Sequence, residues 1–440
     1  MRAGERVRYL WLYFGYKSDY QNLKYMNTFT RMMALLLLVA GCAAEKDETG
    51  KPYPGWKQGE LDIHHIHTGM GEANFFIMPD GTSMLIDAGD LGPNNPEWEK
   101  PRAFPPIADA EFHPGKYVAG YVMNVNPHGE KVDYFMSSHF HDDHLTNSRA
   151  GGQMTQGRNP DYVLSGVTEA GEWLRFGKFY DRAWPDYDYP VEIKGKDVAN
   201  FRSFVKYQTE NFGASQERFI PGMLNQISLV HKPAKYARSF SIRNLAANAQ
   251  VWTGNGEETV SYYDLNPENI TGRQNENTKS IALRLDYGPF SYYTGGDVAG
   301  SLRDTDGNPV NIEVMVGQAC GKVDVCKTNH HAYKDAMKQG FIEAVDPTHY
   351  VSCAWDIWHT QPELMERMLA QSEGMIFHQF LWPEFLQEHK DADWFGRLYQ
   401  KGGHIVVKAY DKGRSYKIYV LDDSNEDMIV KDVFGPFSAE

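Results

Sequence analysis

A chain of 440 residues, 42% hydrophobic and 13% aromatic, holds enough apolar material for a large core, which excludes a wholly disordered protein. Its formal net charge of −14 opposes long-range attraction to polyanions, so nucleic acid and anionic membrane surfaces are poor partners. Four cysteines (Cys42, Cys320, Cys326 and Cys353) are too few for a disulfide scaffold at this length, and the last three read as buried packing.

The N-terminal stretch reads as an address. From Met26 a short basic segment ending at Arg31 precedes an apolar run, Met32 to Ala40, and then Gly41-Cys42. Nine apolar residues cannot span a bilayer core of ~30 Å, so a permanent transmembrane helix is not expected. Val39-Ala40-Gly41-Cys42 resembles the lipobox of bacterial lipoproteins. That resemblance implies a signal region over 1–41 whose true start is Met26, a lipidated Cys42 and a polar tether over 42–57. It also implies an exported lipoprotein of the cell envelope, periplasmic or surface-facing, held to the membrane by its lipid. A plain signal peptide or a buried helix are the alternative readings.

Beyond the tether, Asn74 to Gly89 reads as a hairpin about Pro79-Asp80-Gly81, where proline presets φ and glycine accepts a positive φ. Val132 to Met136 is a short buried strand ending at Ser137-Ser138. Ser280 to Tyr287 and Phe290 to Thr294 form a second hairpin about Gly288-Pro289, and Val323 to Thr328 is strand-like. Gln361 to Leu369 places Leu364, Met368 and Leu369 at helical spacing, and Pro383 to His389 reads as a short helix opened by proline. Strand pairs punctuated by helices predict a layered α/β protein. Two irregular segments, near 91–130 and 147–274, read as insertions that either shape a cleft or decorate the surface.

The chemistry concentrates in Ser138-His139-Phe140-His141-Asp142-Asp143-His144, directly after the buried strand. In extended chain, residues i and i+2 face the same way, so His139 and His141 can close on one ion. As the chain turns, Asp143 and His144 can reach a second. Imidazole with carboxylate suits zinc, and also manganese or iron. Packing alone does not explain so many costly polar groups at one strand end.

The segment resembles the His-x-His-x-Asp-His signature of the metallo-β-lactamase superfamily, and further motifs follow in family order. Leu85-Ile86-Asp87-Ala88-Gly89 resembles the early motif whose aspartate braces the site. Thr294-Gly295-Gly296-Asp297 resembles the motif whose aspartate bridges both metals, and Cys326-Lys327-Thr328-Asn329-His330-His331 the late histidine motif that completes the second metal site. Asn275 to Leu285, His359 to Leu364 and Gly403 to Val407 are similar to the branch that includes the soluble domain of the DNA-uptake competence protein ComEC.

What the resemblance implies is a four-layer αβ/βα sandwich over 58–437, interrupted by the two insertions. It implies two divalent metal ions, zinc first, on His139, His141, Asp143, His144, Asp297 and one of His330 and His331, with His330 preferred for its place at the strand end. Asp87 and Asn329 stand behind the ligands. Asp143 positions the nucleophile, and Asn329, His331 or His359 serve the leaving group. Many relatives carry a third histidine on the first metal; only His231 lies in that interval here, and its surroundings do not resemble a ligand motif. His64, His65 and His67 read as structural. The expected activity is hydrolysis of a phosphodiester or related phosphoric ester, from a small-molecule or cell-envelope substrate. The alternatives are a lactone, lactam or other acyl compound, and a binding lipoprotein without catalysis.

Overall fold

The computed structural model describes residues 48–89, 91, 103–108, 112–146, 161–272 and 275–440; Cys42, the 1–41 signal reading, the first part of the tether and the middle of both insertions lie outside them. Among the described residues twenty strands follow one another in chain order. Six begin the first sheet: β1 (Leu61–His65), β2 (Asn74–Ile77), β3 (Ser83–Ile86), β4 (Lys131–Met136), β5 (Arg175–Asp181) and β6 (Ser215–Arg218). Five begin the second: β7 (Phe240–Ala247), β8 (Gln250–Trp252), β9 (Thr259–Ser261), β10 (Ala282–Tyr287) and β11 (Phe290–Thr294). A small separate hairpin, β12 (Ser301–Arg303) and β13 (Pro309–Asn311), precedes the rest of the second sheet. That sheet continues with β14 (Val325–Lys327), β15 (His349–Ser352), β16 (Ile376–His378) and β17 (Leu398–Tyr399). The chain then returns to the first sheet with β18 (His404–Tyr410), β19 (Ser415–Leu421) and β20 (Val430–Ser438).

Both sheets have nine strands, in the orders β20-β19-β18-β1-β2-β3-β4-β5-β6 and β17-β16-β15-β14-β11-β10-β7-β8-β9. Each is mixed, with β3 to β6 parallel in one and β11 with β14 to β17 parallel in the other. Alternation along the strands decides what lies between and outside the sheets. Leu61 and Ile63 of β1 meet Leu283 and Leu285 of β10 in one core, together with Phe76, Tyr292, Val325 and Ile405. The opposite neighbours, Ala282 and Cys326, turn outward to Val316, Phe341, Leu364 and Met368. On the far side of the first sheet, Phe75, Leu85 and Phe135 pack beneath Val118, Val122, Phe201 and Phe204. The result is helix, sheet, sheet, helix: the expected four-layer αβ/βα sandwich. Residues Thr49–Glu440 make one compact unit. Among the described residues no helix is long and apolar enough to cross a membrane.

The expected hairpins form as β2–β3 and β10–β11, and the expected helices form at Pro362–Gln371 and Pro383–His389. The two segments read as insertions do more than decorate. The first supplies the helix Pro114–Val125, whose Val118, Ala119 and Val122 are fully buried. The second supplies β5 to β9 and the helix Lys196–Phe212, so it carries framework strands of both sheets. Phe176, Phe179 and Phe204 of this segment fill the layer between helix and sheet.

Candidate metal centre

The carboxyl ends of parallel strands from both sheets converge at one edge of the sandwich, where open α/β sheets commonly bind ligands. After β3 the chain turns at Asp87, which has φ of 61°. Asp87 accepts hydrogen bonds from the Ser138 backbone at 2.7 Å, from Ser138 Oγ at 2.6 Å and from His144 Nδ1 at 2.9 Å. It therefore fixes both ends of the 138–144 turn. Gly89 makes that turn possible, since a Cβ there would lie 1.7 Å from the Asp143 carbonyl oxygen. Gly296, at φ of 51°, does the same for the loop carrying Asp297, where a Cβ would meet Ser138 Oγ at 2.7 Å.

Two groups of ligand-type atoms result, and Asp297 belongs to both: His139, His141 and Asp297 form one, and Glu72, His144, Asp297 and His331 the other. In the first, His139 Nε2 stands 3.0 Å from His141 Nδ1. In the second, His144 Nε2 lies 3.2 Å from His331 Nε2, 3.2 Å from Asp297 Oδ1 and 3.7 Å from Asp143 Oδ2. Asp143 Oδ2 is also 3.2 Å from His331 Nε2.

Proton accounting shows that this arrangement fits cations. Ser138 Oγ donates to Asp87 and so accepts from His139 Nδ1, at 3.1 Å. The His144 Nδ1 proton goes to Asp87, and the His331 Nδ1 proton goes to the Cys353 carbonyl at 3.1 Å. Each Nε2 then presents a lone pair to its neighbours. Asp297 Oδ1 is buried without any hydrogen-bond donor. Lone pairs and carboxylate oxygens this close, away from water, repel one another unless a positive charge lies among them. Divalent ions would supply that charge, and the mixed imidazole and carboxylate donors suit zinc. Such histidines hold their outer nitrogen on a carbonyl or carboxylate, as seen here.

The electrostatics show the same demand for positive charge, here as a pull on a second proton at His144. Burial resists charge on His144, but Asp297 and Asp143 outweigh it and raise its pKa well above the ordinary value. Burial also works against the Asp143 and Asp297 carboxylates, yet the surrounding imidazoles hold both well below the usual range. Burial, with His144 beside it, pushes His139 well below the usual imidazole value.

Most of the expected residues meet here: His139, His141, Asp143, His144 and Asp297, with Asp87 behind them. The preference for His330 in the second site is corrected, because the atom facing Asp143 and His144 belongs to His331. Backbone geometry decides it: both residues are left-handed, with φ of 45° and 52°, and successive side chains diverge. The same placement removes His331 from service to the leaving group, as its Nδ1 is engaged and its Nε2 faces the ligands. Asn329 is a brace, accepting from Tyr293 Oη at 3.0 Å and donating to Glu313 at 3.0 Å. His359 stacks on His331, with ring centroids 4.9 Å apart. His231 is remote, stacked on His128 and 3.1 Å from Asp133. His64 and His65 are structural, bonded to Tyr121 and Asn74, and His67 is bonded to Asp423.

Sequence reasoning missed Glu72 and Lys327. Lys327 Nζ donates to Glu72 Oε2 at 2.7 Å, and that oxygen lies 3.6 Å from His331 Nδ1, behind the imidazole. A glutamate between glycines and an apolar strand, in Gly71-Glu72-Ala73-Asn74, was the available signal. It also missed Arg182, fully buried, which pairs with Glu276 and lies over the Phe140 ring, so clamping the 139–144 turn from outside.

The ligands open onto a cavity of about 490 Å³ lined also by Asp142, Tyr333, Trp355, Trp358 and His359. A cavity of about 570 Å³ beside Trp184, Arg202 and Lys206 contains none of the ligands. No family model and no curated protein matches the chain. Solved structures that match include one described as a new diphosphatase from the PhnP family, 11% identical, covering 79% of this chain and 96% of that one with a TM-score of 0.32.

Proposed function

We propose that the chain is a metal-dependent hydrolase with a pair of zinc ions, or manganese or iron, acting on a phosphodiester or related phosphoric ester. The observation that carries this reading is Asp297, a buried carboxylate that belongs to two histidine groups at once. Two bound ions supply Lewis acidity and lower the pKa of water towards neutrality, which suits in-line displacement at phosphorus. The chain's residues do the rest. Asp143 and Asp297 position charge at the attacked centre, and the turn held by Asp87 keeps the imidazoles in register.

His359 supplies a defined donor. Its Nδ1 accepts from the backbone nitrogens of Trp355 at 3.2 Å and Asp356 at 3.1 Å, so the ring proton sits on Nε2. Burial, with His331 and His330 nearby, holds its pKa well below the ordinary value, and it remains neutral. A neutral imidazole is a poor acid but a good hydrogen-bond donor, so His359 steadies an oxygen of the substrate rather than releasing a proton. Trp355, Trp358 and Tyr333 give the cavity flat apolar faces beside that polar floor.

The test is turnover of chromogenic phosphodiesters, lactones and β-lactams by wild type and Asp143→Ala, with metal content measured in parallel. Phosphodiester turnover with about two ions per chain, lost in the variant, is expected. Turnover of acyl substrates alone moves the activity to the lactone or lactam class, and a metal-free, inert wild type overturns the enzyme reading. We further propose export and lipidation at Cys42, tested by labelled fatty-acid incorporation that Cys42→Ser should abolish; equal labelling of the variant refutes it.

A further inference from the structure

We infer that the two adjacent histidines divide between the two ions: His331 serves the ion on His144 and Asp143, while His330 is the third imidazole of the ion on His139 and His141. The inference rests on the two-ion reading above and adds a ligand that the 145–296 interval does not provide, since its only histidine, His231, lies elsewhere.

The two oxygens of Asp297 make the division visible. Oδ1 faces His144 Nε2 at 3.2 Å and His331 Nε2 at 3.6 Å. Oδ2 faces His139 Nε2 at 3.8 Å and His330 Nε2 at 3.7 Å. Zinc bonds of ~2.0–2.2 Å in a tetrahedron set neighbouring donor atoms about 3.4 Å apart, so the four contacts with Asp297 need only a few tenths of an ångström of adjustment, while His330, which stands outside the compact His139, His141 and Asp297 group, must close further on those two imidazoles. Each oxygen thus has its own pair of imidazoles.

His330 is also prepared as a ligand. Its Nδ1 bonds Asp335 Oδ1 at 2.6 Å, which fixes the ring and leaves Nε2 for the Asp297 side. A carboxylate on the outer nitrogen is the arrangement that orients metal-bound histidines. The Asn277 amide nitrogen lies 3.4 Å from Nδ1 and 3.3 Å from Nε2, spanning the ring edge rather than capping one nitrogen. Consecutive left-handed residues splay the two rings, whose planes differ by 58° with centroids 6.2 Å apart, enough to reach two different points.

The experiment loads the full chain with cadmium, follows the two bound ions by cadmium NMR and measures each affinity by chelator competition. His330→Ala is expected to lose or shift one resonance and weaken that ion at least 100-fold while the other holds its wild-type affinity. His331→Ala is expected to affect the other resonance. Asp335→Asn, at a half-exposed position, should weaken the His330 ion by about 10–100-fold. Wild-type affinity for both ions in His330→Ala, or loss of the same resonance in both histidine variants, overturns the assignment while leaving the two-ion reading intact. A wild type that binds no cadmium and no zinc overturns both.

Discussion

Lys327 and Glu72 form an ion pair at 2.7 Å in which both side chains are fully buried. Lys327 also donates to the Gly296 carbonyl at 3.0 Å, and Glu72 accepts from Asn74 at 2.7 Å, so the pair joins β1's neighbourhood, the Asp297 loop and β14. Breaking a buried pair leaves one charge uncompensated, a cost of about 3–5 kcal/mol. Lys327→Met should therefore lose stability on that scale in urea unfolding, and Glu72→Gln combined with Lys327→Met should lose clearly less. Equal losses in the single and double variants would deny the coupling.

Asp87 is fully buried and holds Ser138 and His144 together. Asp87→Ala should weaken metal binding by about 10–100-fold while leaving the fold in place. Chelator competition together with circular dichroism separates these effects; unaltered affinity would show that the turn holds itself.

His359→Phe keeps an aromatic ring against His331 and removes the Nε2 donor. Turnover should fall by about 100-fold with metal content unchanged. Because the residue is neutral throughout, the loss should be the same from pH 6 to 9. A loss that grows towards one end of that range would mean that His359 transfers a proton after all.

His378, on β16, is fully buried and neither ring nitrogen has a partner. Burial lowers its pKa to about 3, below the ordinary 6.5. The folded state thus rejects a proton that the unfolded chain accepts, so stability is whole above pH 6.5 and declines as pH falls towards 3. The slope is about 1.4 kcal/mol per pH unit. His65 and His349, lowered to about 4, and His404, lowered to about 3, add to the same acid limb. In His378→Phe the limb should be shallower by that single-group slope in urea unfolding between pH 6 and 4. Parallel curves would show that the ring is solvated.

The parts of the centre that were legible share one property: they are close in sequence or sit at a strand end marked by glycine. His139 to His144 announce themselves by spacing, and Asp297 by the Gly295-Gly296 turn. The choice between His330 and His331 was hidden because two backbone torsions, not residue type, aim the rings. Glu72, Asp335 and the Arg182–Glu276 clamp were hidden because each is a single charge whose partner is fixed by the fold. The framework strands in 147–274 were hidden because their pairing partners, β4 for β5 and β10 for β7, lie far from them in sequence.

His330, His331 and Ala332 run left-handed in succession, with φ of 45°, 52° and 63°. For residues bearing a Cβ this conformation costs roughly 1–2 kcal/mol each, so packing elsewhere must offset several kcal/mol to keep the turn. We expect that packing to pose the donors while the chain folds, unlike small zinc domains whose binding energy is their folding energy. Stripping the centre with a chelator should leave both sheets standing, and refilling it should proceed at the pace of ion diffusion, without the slow reassembly of a collapsed domain.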